Sequence, residues 1–412
     1  MTFSRPIIGP RVRPVAWGVA ALILGAAAGL LPVPASAGLL VALVLGLAVL
    51  VEPSLGLVMM LGVAPLKVLV ETEAPLALPG DVGQWAFGVA VGAWAVWRAS
   101  RATNRPLPRT RIAAALLVIL LGFTPSLFAA ASGSAWLAEA LKWVEMIVLV
   151  LIVVDLSERG RWAWIAFGVV LSAALQAAIG LYEYWGGSGA PHLWIAGYTR
   201  FRAFGTFGQP NPFSAFMGLS LPLALGMGWG SARLARNRWQ AGDHPAARWP
   251  AVVAGVYIGA GLLILGGLLA SWGRGAWLGF AAALAVMAMF APRRRAVGAG
   301  LVLGGAVLLG AVWVAGLVPA GIAGRVTSTL DEFVGFRDVR GIFVTNENFS
   351  TVERLAHWQA ALDMASAHPL VGVGLGNYEV AYPDYALPRW PHALGHAHND
   401  YLNLLAETGI IG

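Results

Sequence analysis

The sequence predicts an all-α, polytopic membrane protein with about twelve transmembrane helices. Of its 412 residues, 58% are hydrophobic and only 11% are charged, and the mean hydropathy is +0.72. This composition is typical of membrane proteins rather than soluble domains. The apolar stretches lack the alternation of polar and apolar residues that marks barrel strands, so helices are expected to cross the membrane.

The apolar stretches place these helices along the chain and leave two longer loops between them. The chain is predicted to form a single integral membrane domain over residues 1–412, with a medium outer loop at 183–210 and a large outer, catalytic loop at 319–397 that contains short helices. Residues 398–412 are expected to begin a C-terminal transmembrane helix that is cut short at Gly412. The predicted spans lie at about 15–31, 38–51, 54–70, 83–98, 112–130, 138–154, 162–182, 211–229, 250–270, 275–291, 296–318 and from 398 onward.

The basic residues predict the orientation of these helices. If the N-terminus is cytoplasmic, most of the 27 Lys and Arg residues fall in inner loops, whereas the early outer loops at 32–37, 71–82 and 131–137 contain none. This asymmetry follows the positive-inside rule, so the net charge of +7 reflects topology and no nucleic-acid partner is expected. The inner residues are Arg5, Arg11, Arg13, Arg98, Arg101, Arg105, Arg109, Arg111, Arg159, Arg161, Arg233, Arg236, Arg238, Arg248 and Arg293–Arg295.

Cysteine is absent, which excludes disulfides, thiolate metal sites and cysteine nucleophiles together. The segment from Pro32 to Ala37 has the small residues of a signal-peptidase site, but the preceding apolar run is long for a signal peptide. Cleavage there would leave the topology of the later helices unchanged.

The large outer loop carries its own helical pattern. Ser350 and Glu353 have the spacing of a capping box, and apolar residues follow at helical intervals. The glycines at 372, 374 and 376 are interpreted as tight turns rather than as a phosphate-binding loop, because no strand precedes them.

Three arginines on the outer side are candidates for binding an anion. Arg202 lies among aromatics and glycines before the eighth span, Arg274 lies in the short turn between two spans, and Arg354 is placed in the first turn of the loop helix. The planar guanidinium fork suits bidentate phosphate binding, and several together can hold a diphosphate without a metal. Alternatively, Arg202 contacts lipid headgroups, Arg274 snorkels to the membrane interface, and Arg354 pairs with Glu353 or Asp331.

The end of the chain carries a candidate general base. His398 and the capping-type Asn399 stand where a polar loop turns into an apolar helix. The positive end of a helix dipole lowers the pKa of an imidazole, and a neutral imidazole can accept the proton of a hydroxyl. The pair Gly409 and Gly412 is expected to let a neighbouring helix pack closely within the membrane.

These segments together resemble the O-antigen ligase and O-antigen polymerase superfamily of bacterial envelope proteins. The resemblance rests on the stretch from Arg202 to Asn211, on GRGAWLG at 273–279, on the Arg354 helix with HPLVGVGLGNY after it, and on the His398 segment. It covers most of the chain from about residue 195, together with the layout of the helices.

The resemblance implies a metal-independent glycosyltransferase of the ligase type in the bacterial inner membrane, without cofactors. Such an enzyme transfers a glycan from an undecaprenyl-diphosphate carrier to the hydroxyl of a lipid A-core, glycan or protein acceptor at the periplasmic face. A repeat-unit polymerase of the same superfamily is the alternative, because nothing in the sequence identifies the acceptor. The implied roles are base for His398, donor diphosphate binding for Arg202, Arg274 and Arg354, and support for Asn211, Asn399, Gly409 and Gly412.

Two other functions stay open at this point. His392, His396 and His398 with Asp400 are the right residue types for a metal site, although their spacing fits no strong zinc motif. A transporter or lipid-linked-sugar flippase would use ionisable residues inside spans, which Glu139, Lys142, Glu145 and Lys67 supply. Glu139 and Lys142 can equally form a simple pair on one helix face.

Overall fold

A computed structural model of the chain describes residues 46, 48–66, 82–100, 106–186, 193–195, 200–318, 323–324, 338–345 and 348–412. These residues are mostly helical, which confirms the predicted all-α class. The described helices are α1 (Ser54–Val63), α2 (Val82–Ser100), α3 (Arg111–Phe123), α4 (Gly133–Leu156), α5 (Trp162–Tyr184), α6 (Pro210–Gln240), α7 (His244–Ala270), α8 (Arg274–Phe290), α9 (Arg295–Val314), α10 (Phe349–Ala367), α11 (Tyr378–Tyr385) and α12 (Asp400–Thr408). The strands β1 (Trp194–Ile195) and β2 (Arg200–Phe201) form one short antiparallel pair.

Helices α1 to α9 lie where apolar stretches predicted helices, within a few residues at most ends. The predicted span at 15–31 and most of that at 38–51 lie outside the described residues, as do Lys67, Asp331 and the segment from Pro32 to Ala37. Large side chains such as Leu262 and Val307 are exposed on the outer faces, as expected when lipid is the solvent. By length and composition, Arg111–Ala129, Pro210–Gln240, His244–Ala270 and Arg295–Val314 can each cross a membrane, and Ser54–Leu66 and Arg274–Phe290 are apolar but shorter.

The tightest part of the bundle is formed by α5, α6 and α7. Phe213, Met217 and Leu221 on α6 are fully buried between the neighbouring helices. A Cβ atom on Gly267 would lie 3.0 Å from the Cβ of Ala177, so small residues bring α5 and α7 close together. Such close approach of backbones is typical of helix packing in membranes.

A buried ionic cluster joins α2 to the connection between α4 and α5. The carboxylate of Asp155 accepts a hydrogen bond from Trp94 Nε1 at 2.9 Å and pairs with Arg98 at 2.8 Å and Arg159 at 3.3 Å. The chain then reverses through a π-helical turn in which Gly160 has φ 80°. The start of α4 and the end of α5 therefore lie at the same end of the bundle.

At that end, hydrogen bonds from main-chain N–H groups hold the segment before α6 against the ends of α5 and α7. The buried carboxylate of Glu183, near the end of α5, accepts hydrogen bonds of 2.8 Å from the main-chain N–H groups of Phe204 and Gly205. The N–H of Ala203 donates to the carbonyl of Ala270 at 3.0 Å. The end of α5, the segment before α6 and the end of α7 thus meet.

Residues 338–345 and 348–412 form a small helical unit, which we call the loop domain, on the turn between α3 and α4. The N–H of Ser132 donates to Asn377 Oδ1 at 2.8 Å, and the N–H of Leu375 donates to Ser126 Oγ at 3.1 Å. A Cβ atom on Gly374 would lie 2.6 Å from the Cα of Ala130. Because the α3–α4 turn lies at the same end as the start of α4, the loop domain sits at the end of the bundle that carries Arg202 and Arg274.

Two details of the loop domain differ from the sequence prediction. Helix α10 begins at Phe349 after Asn348, and no side chain caps it, so Ser350 and Glu353 do not form the predicted capping box. Arg354 accordingly lies in the second turn of α10 rather than in the first. The predicted tight turns are confirmed, since Gly372, Gly374 and Gly376 have φ values of 66°, 105° and 70°.

Residues 398–412 do not form one continuous helix in the structure, whereas the sequence predicts the start of a membrane span there. Helix α12 has only nine residues and ends at Thr408, because Gly409 leaves the helix with φ 63° and ψ −161°. The N–H of Ile410 then bonds to the carbonyl of Pro369 at 3.0 Å, and that of Ile411 bonds to Leu370 at 3.2 Å.

Candidate functional site

His398 lies directly before α12, as the sequence predicted. Asn399 is the N-cap of that helix, and its Oδ1 accepts hydrogen bonds from the N–H groups of Tyr401 at 3.1 Å and Leu402 at 3.2 Å. Asn403 fixes the preceding turn by accepting from the N–H of Ala397 at 2.9 Å. His398 itself is half-buried and has φ 55°, a left-handed conformation uncommon for a residue with a side chain.

The imidazole of His398 is held in its neutral form. Burial is the largest cause that lowers the pKa of His398 from 6.5 to about 4, and the neighbouring His396, His357 and Arg354 act in the same direction. The sequence predicted a neutral ring but attributed it to the helix dipole. The structure gives burial as the main physical reason.

Arg354 brings a positive charge from α10 to the same place. Its guanidinium acts electrostatically on the imidazole of His398 and lowers the pKa of that ring, although the two residues are more than forty positions apart in the chain. Arg354 also acts on the carboxyl of Glu353, where burial is the larger effect and raises the pKa of that carboxyl. The loop domain therefore combines a cation with a neutral imidazole.

Arg202 and Arg274 form a second group on the helix bundle. The Nε of Arg202 donates to the carbonyl of Ser271 at 2.9 Å, three residues before Arg274 opens α8. Gly273 approaches Ser214 so closely that a Cβ atom there would collide with its side chain. The hydroxyl of Ser214 in turn donates to the carbonyl of Asn211 at 2.8 Å, so Asn211 belongs to this group.

The predicted site residues thus fall into two groups at one end of the bundle. One group, on the bundle itself, contains Arg202, Arg274 and Asn211. The other group contains Arg354 and His398, which lie on the loop domain that is docked at the same end of the bundle. Together the two groups offer guanidinium groups for an anion and a neutral imidazole for a hydroxyl proton.

Gly409 and Gly412 lie at and after the end of α12. A Cβ atom on Gly409 would collide with the main chain at Leu370 and Val371, and one on Gly412 would collide with Thr408. Gly409 is the C-cap of α12, and the chain after it runs beside the turn that follows α10. The predicted packing of a neighbouring helix against these glycines stays a prediction.

His357 is a neighbour of His398 that the sequence prediction missed. It lies on α10 with only 1% of its surface exposed, and its ring centroid is 5.6 Å from that of His398. The sequence feature that could have identified His357 is its position three residues after Arg354, because this spacing places both side chains on one side of the helix.

The structure also describes most of the residues on which the two alternative functions, a metal site and a transporter or flippase, would depend. In the part of the chain that the structure describes, no three His, Asp or Glu residues converge as metal ligands would. Nδ1 of His396 accepts a hydrogen bond from the N–H of His398 at 3.0 Å. Glu139 and Lys142 form a 2.7 Å ion pair on the surface of α4, which is the simple pairing weighed from the sequence.

A comparison with protein families matches residues 258–412 to a family described as O-antigen ligase. The matched range includes Arg274, Arg354, His357 and His398 but not Arg202. No curated protein matches the chain. The apolar helices and this match point to a membrane protein, part of which is similar to the O-antigen ligase family. The resemblance predicted from the motifs is thereby confirmed for residues 258–412, which match the O-antigen ligase family.

Proposed function

We propose that the protein is a ligase-type glycosyltransferase of the bacterial inner membrane, with its N-terminus in the cytoplasm and its site on the periplasmic side. Its donor would be a glycan on an undecaprenyl-diphosphate carrier, and its acceptor the hydroxyl of a lipid A-core, glycan or protein. The observation that carries the proposal is the neutral, half-buried His398 beside Arg354.

In the proposed reaction, His398 takes the proton of the acceptor hydroxyl while that oxygen attacks the anomeric carbon of the donor. The bond between the anomeric carbon and the diphosphate breaks, and the carrier leaves as a diphosphate. Arg202, Arg274 and Arg354 would stabilise the negative charge that develops on the leaving group. A single displacement of this kind inverts the anomeric centre, and no metal is needed for any step.

The His398→Ala variant tests the role of the base. Glycan transfer from a lipid-diphosphate donor in purified, reconstituted protein is expected to fall by about 100-fold or more, because general base catalysis typically contributes about 10²- to 10⁴-fold. His392→Ala is the matched control, since His392 is an exposed histidine of the same loop. Transfer by His398→Ala at the rate of the control would contradict the proposal.

The same variant separates an enzyme from a flippase. If the protein moves lipid-linked sugars instead, His398→Ala should abolish translocation of the carrier across vesicles rather than transfer. Ligase and polymerase are distinguished by the envelope glycans of a deletion strain. Long unattached chains are expected if a ligase is missing, and single repeat units on the lipid carrier if a polymerase is missing.

A further inference from the structure

His357 is a buried histidine that the proposed reaction does not use. It is an ionisable side chain in the interior of the loop domain, stacked on the ring of Tyr382 at 4.9 Å between centroids. Its Nδ1 lies 3.1 Å from the hydroxyl of Tyr378. Burial and nearby His396 lower the pKa of His357 to about 4, so the ring is neutral.

The hydroxyl of Tyr378 lies within hydrogen-bond distance of two groups of His357. It is 3.1 Å from Nδ1 and 3.2 Å from the main-chain carbonyl, to which it can donate. A tyrosine hydroxyl has a single proton, so both hydrogen bonds form together only in the Nδ1–H tautomer, which has its lone pair on Nε2. The main chain of Tyr378 is held in turn, because its N–H donates to Glu407 Oε1 at 3.2 Å.

His398, in contrast, stands on a short loop and needs external support for its ring. Two rings contact it edge to face: His396 at 4.3 Å, which is exposed on the same loop, and His357 at 5.6 Å, which is buried on a regular helix. Catalytic groups keep productive geometry when residues with locked rotamers support them. Of the two contacts, His357 is the locked one.

We propose that His357 is a positioning residue, which holds the imidazole of His398 in the orientation that a general base requires. Tyr378 fixes the ring of His357, and His357 fixes the ring of His398. This inference rests on the proposed function of His398, but its test does not depend on glycan transfer alone. The charged and titratable groups that act on His398 are His396 on its own loop and His357 and Arg354 on α10.

The test compares His357→Gln with two buried tyrosine variants. Tyr378→Phe removes the hydroxyl that contacts Nδ1 of His357, whereas Tyr382→Phe keeps the stacked ring and removes a hydroxyl that donates to the carbonyl of Trp390 at 2.8 Å. Both tyrosines are fully buried, so both variants lose one buried hydroxyl and similar stability is expected for them. Of the two hydroxyls, that of Tyr378 contacts His357, whereas that of Tyr382 contacts Trp390.

Two readouts are needed. For His357→Gln, kcat is expected to fall about 10- to 100-fold with little change in the KM for the donor, because misplacing a catalytic group by about 1 Å costs rate of this order. The second readout is the rate at which His398 is carbethoxylated, measured by mass spectrometry and compared with the rate for free N-acetylhistidine. Because only the neutral imidazole reacts, the dependence of this rate on pH reports the neutral fraction of the His398 ring. Wild-type His398 should stay reactive down to about pH 5, because its pKa is about 4. In His357→Gln, a ring that is released toward solvent should lose reactivity at a higher pH than in the wild type, because burial is the largest cause of its low pKa. Tyr378→Phe should shift it in the same direction, and Tyr382→Phe should not.

The outcomes separate the two proposals. If His357→Gln loses activity only in proportion to folded protein and the reactivity profile of His398 is unchanged, His357 does not position His398. Equal behaviour of the two tyrosine variants leads to the same conclusion. If instead His398→Ala retains transfer while His357→Gln still alters the profile, the positioning contact stands and the proposed role of the base fails.

Discussion

At the scale of single residues, the site combines features that could be predicted with one that could not. The arginines and His398 were found because charged or ionisable groups stand out beside apolar spans and at a helix start. His357 was not, because a lone histidine inside an amphipathic helix pattern has the same appearance as a core residue. Its significance depends on the rings of Tyr382 and His398, which approach it only in the folded chain.

Arg354 provides a prediction at this scale. Arg354→Ala is expected to lower kcat/KM for the lipid-diphosphate donor by about 10- to 100-fold, which corresponds to the roughly 1.5–3 kcal/mol typical of a hydrogen bond to a charged group. Arg354→Lys keeps the charge but loses the planar fork, so an intermediate value is expected. Arg340→Ala is the control, because Arg340 is an exposed arginine of the same loop domain that pairs with Asp338 at 3.4 Å. Equal kinetics for Arg354→Ala and the control would exclude the proposed contact.

Gly409 provides a second prediction. Gly409→Ala should destabilise the loop domain by about 2–4 kcal/mol, because an alanine there is strained and its Cβ atom meets the main chain of Leu370. Gly395→Ala is a matched control: its φ is 81°, but open space surrounds the position of the added Cβ atom. The control should therefore cost only about 1 kcal/mol in backbone strain. Thermal unfolding of the purified variants measures the difference, and equal melting temperatures would contradict it.

At the scale of elements, hydropathy was a reliable guide to the bundle and a poor one to the end of the chain. Helix α8 was predicted at 275–291 and is found at Arg274–Phe290, because its apolar residues are continuous and Gly273 precedes it. At α12, the apolar character of the residues after His398 predicted the start of a span. The helix stops there because Gly409 turns back toward the chain after α10, and glycine alone does not reveal this, since spans also contain it.

The loop domain is predicted to lose stability in acid. His357 and His398 both have a pKa lowered to about 4, whereas an unfolded histidine titrates near 6.5. Below pH 6.5 the unfolded chain therefore binds protons that the native chain does not, so stability should fall as the pH drops toward 4. Denaturant unfolding of the loop domain between pH 7.5 and pH 4.5 measures this dependence. His357→Gln and His398→Gln should each weaken it, and unchanged slopes in both variants would refute the explanation.

At the scale of the whole molecule, the proposed function requires that the loop domain stay docked. Arg202 and Arg274 lie on the bundle, and Arg354 and His398 lie on the loop domain. Their relative placement therefore depends on the interface that includes Ser132 and Asn377. The sequence indicated that both groups lie on one side of the membrane, from the order of helices and loops. It could not show the docking, because the docking bonds join the side chains of Asn377 and Ser126 to main-chain groups that are distant in the sequence.

Asn377→Ala tests this interface without altering any proposed site residue. Asn377 is fully buried, and its side chain accepts from the N–H of Ser132 and donates to the carbonyls of Ser132 and Leu375. We expect about a 10-fold loss of kcat/KM and faster proteolysis of the loop domain, because buried polar partners are left unsatisfied. Ser366→Ala, which removes an exposed hydroxyl bonded within α10, should change neither quantity. Full activity of Asn377→Ala would show that docking does not limit the reaction.

The glycine turns at 372, 374 and 376 have a consequence for how such a protein can diversify. Two of these turns, at Gly374 and Gly376, meet the start of α4 through backbone contacts, and Gly372 meets the end of α12 in the same way. Attachment of this kind does not depend on the side chains on the opposite surface of the loop domain. Under the proposed function, substitutions on that surface can change the preference for an acceptor, while the glycine turns keep His398 at the same position relative to Arg202 and Arg274.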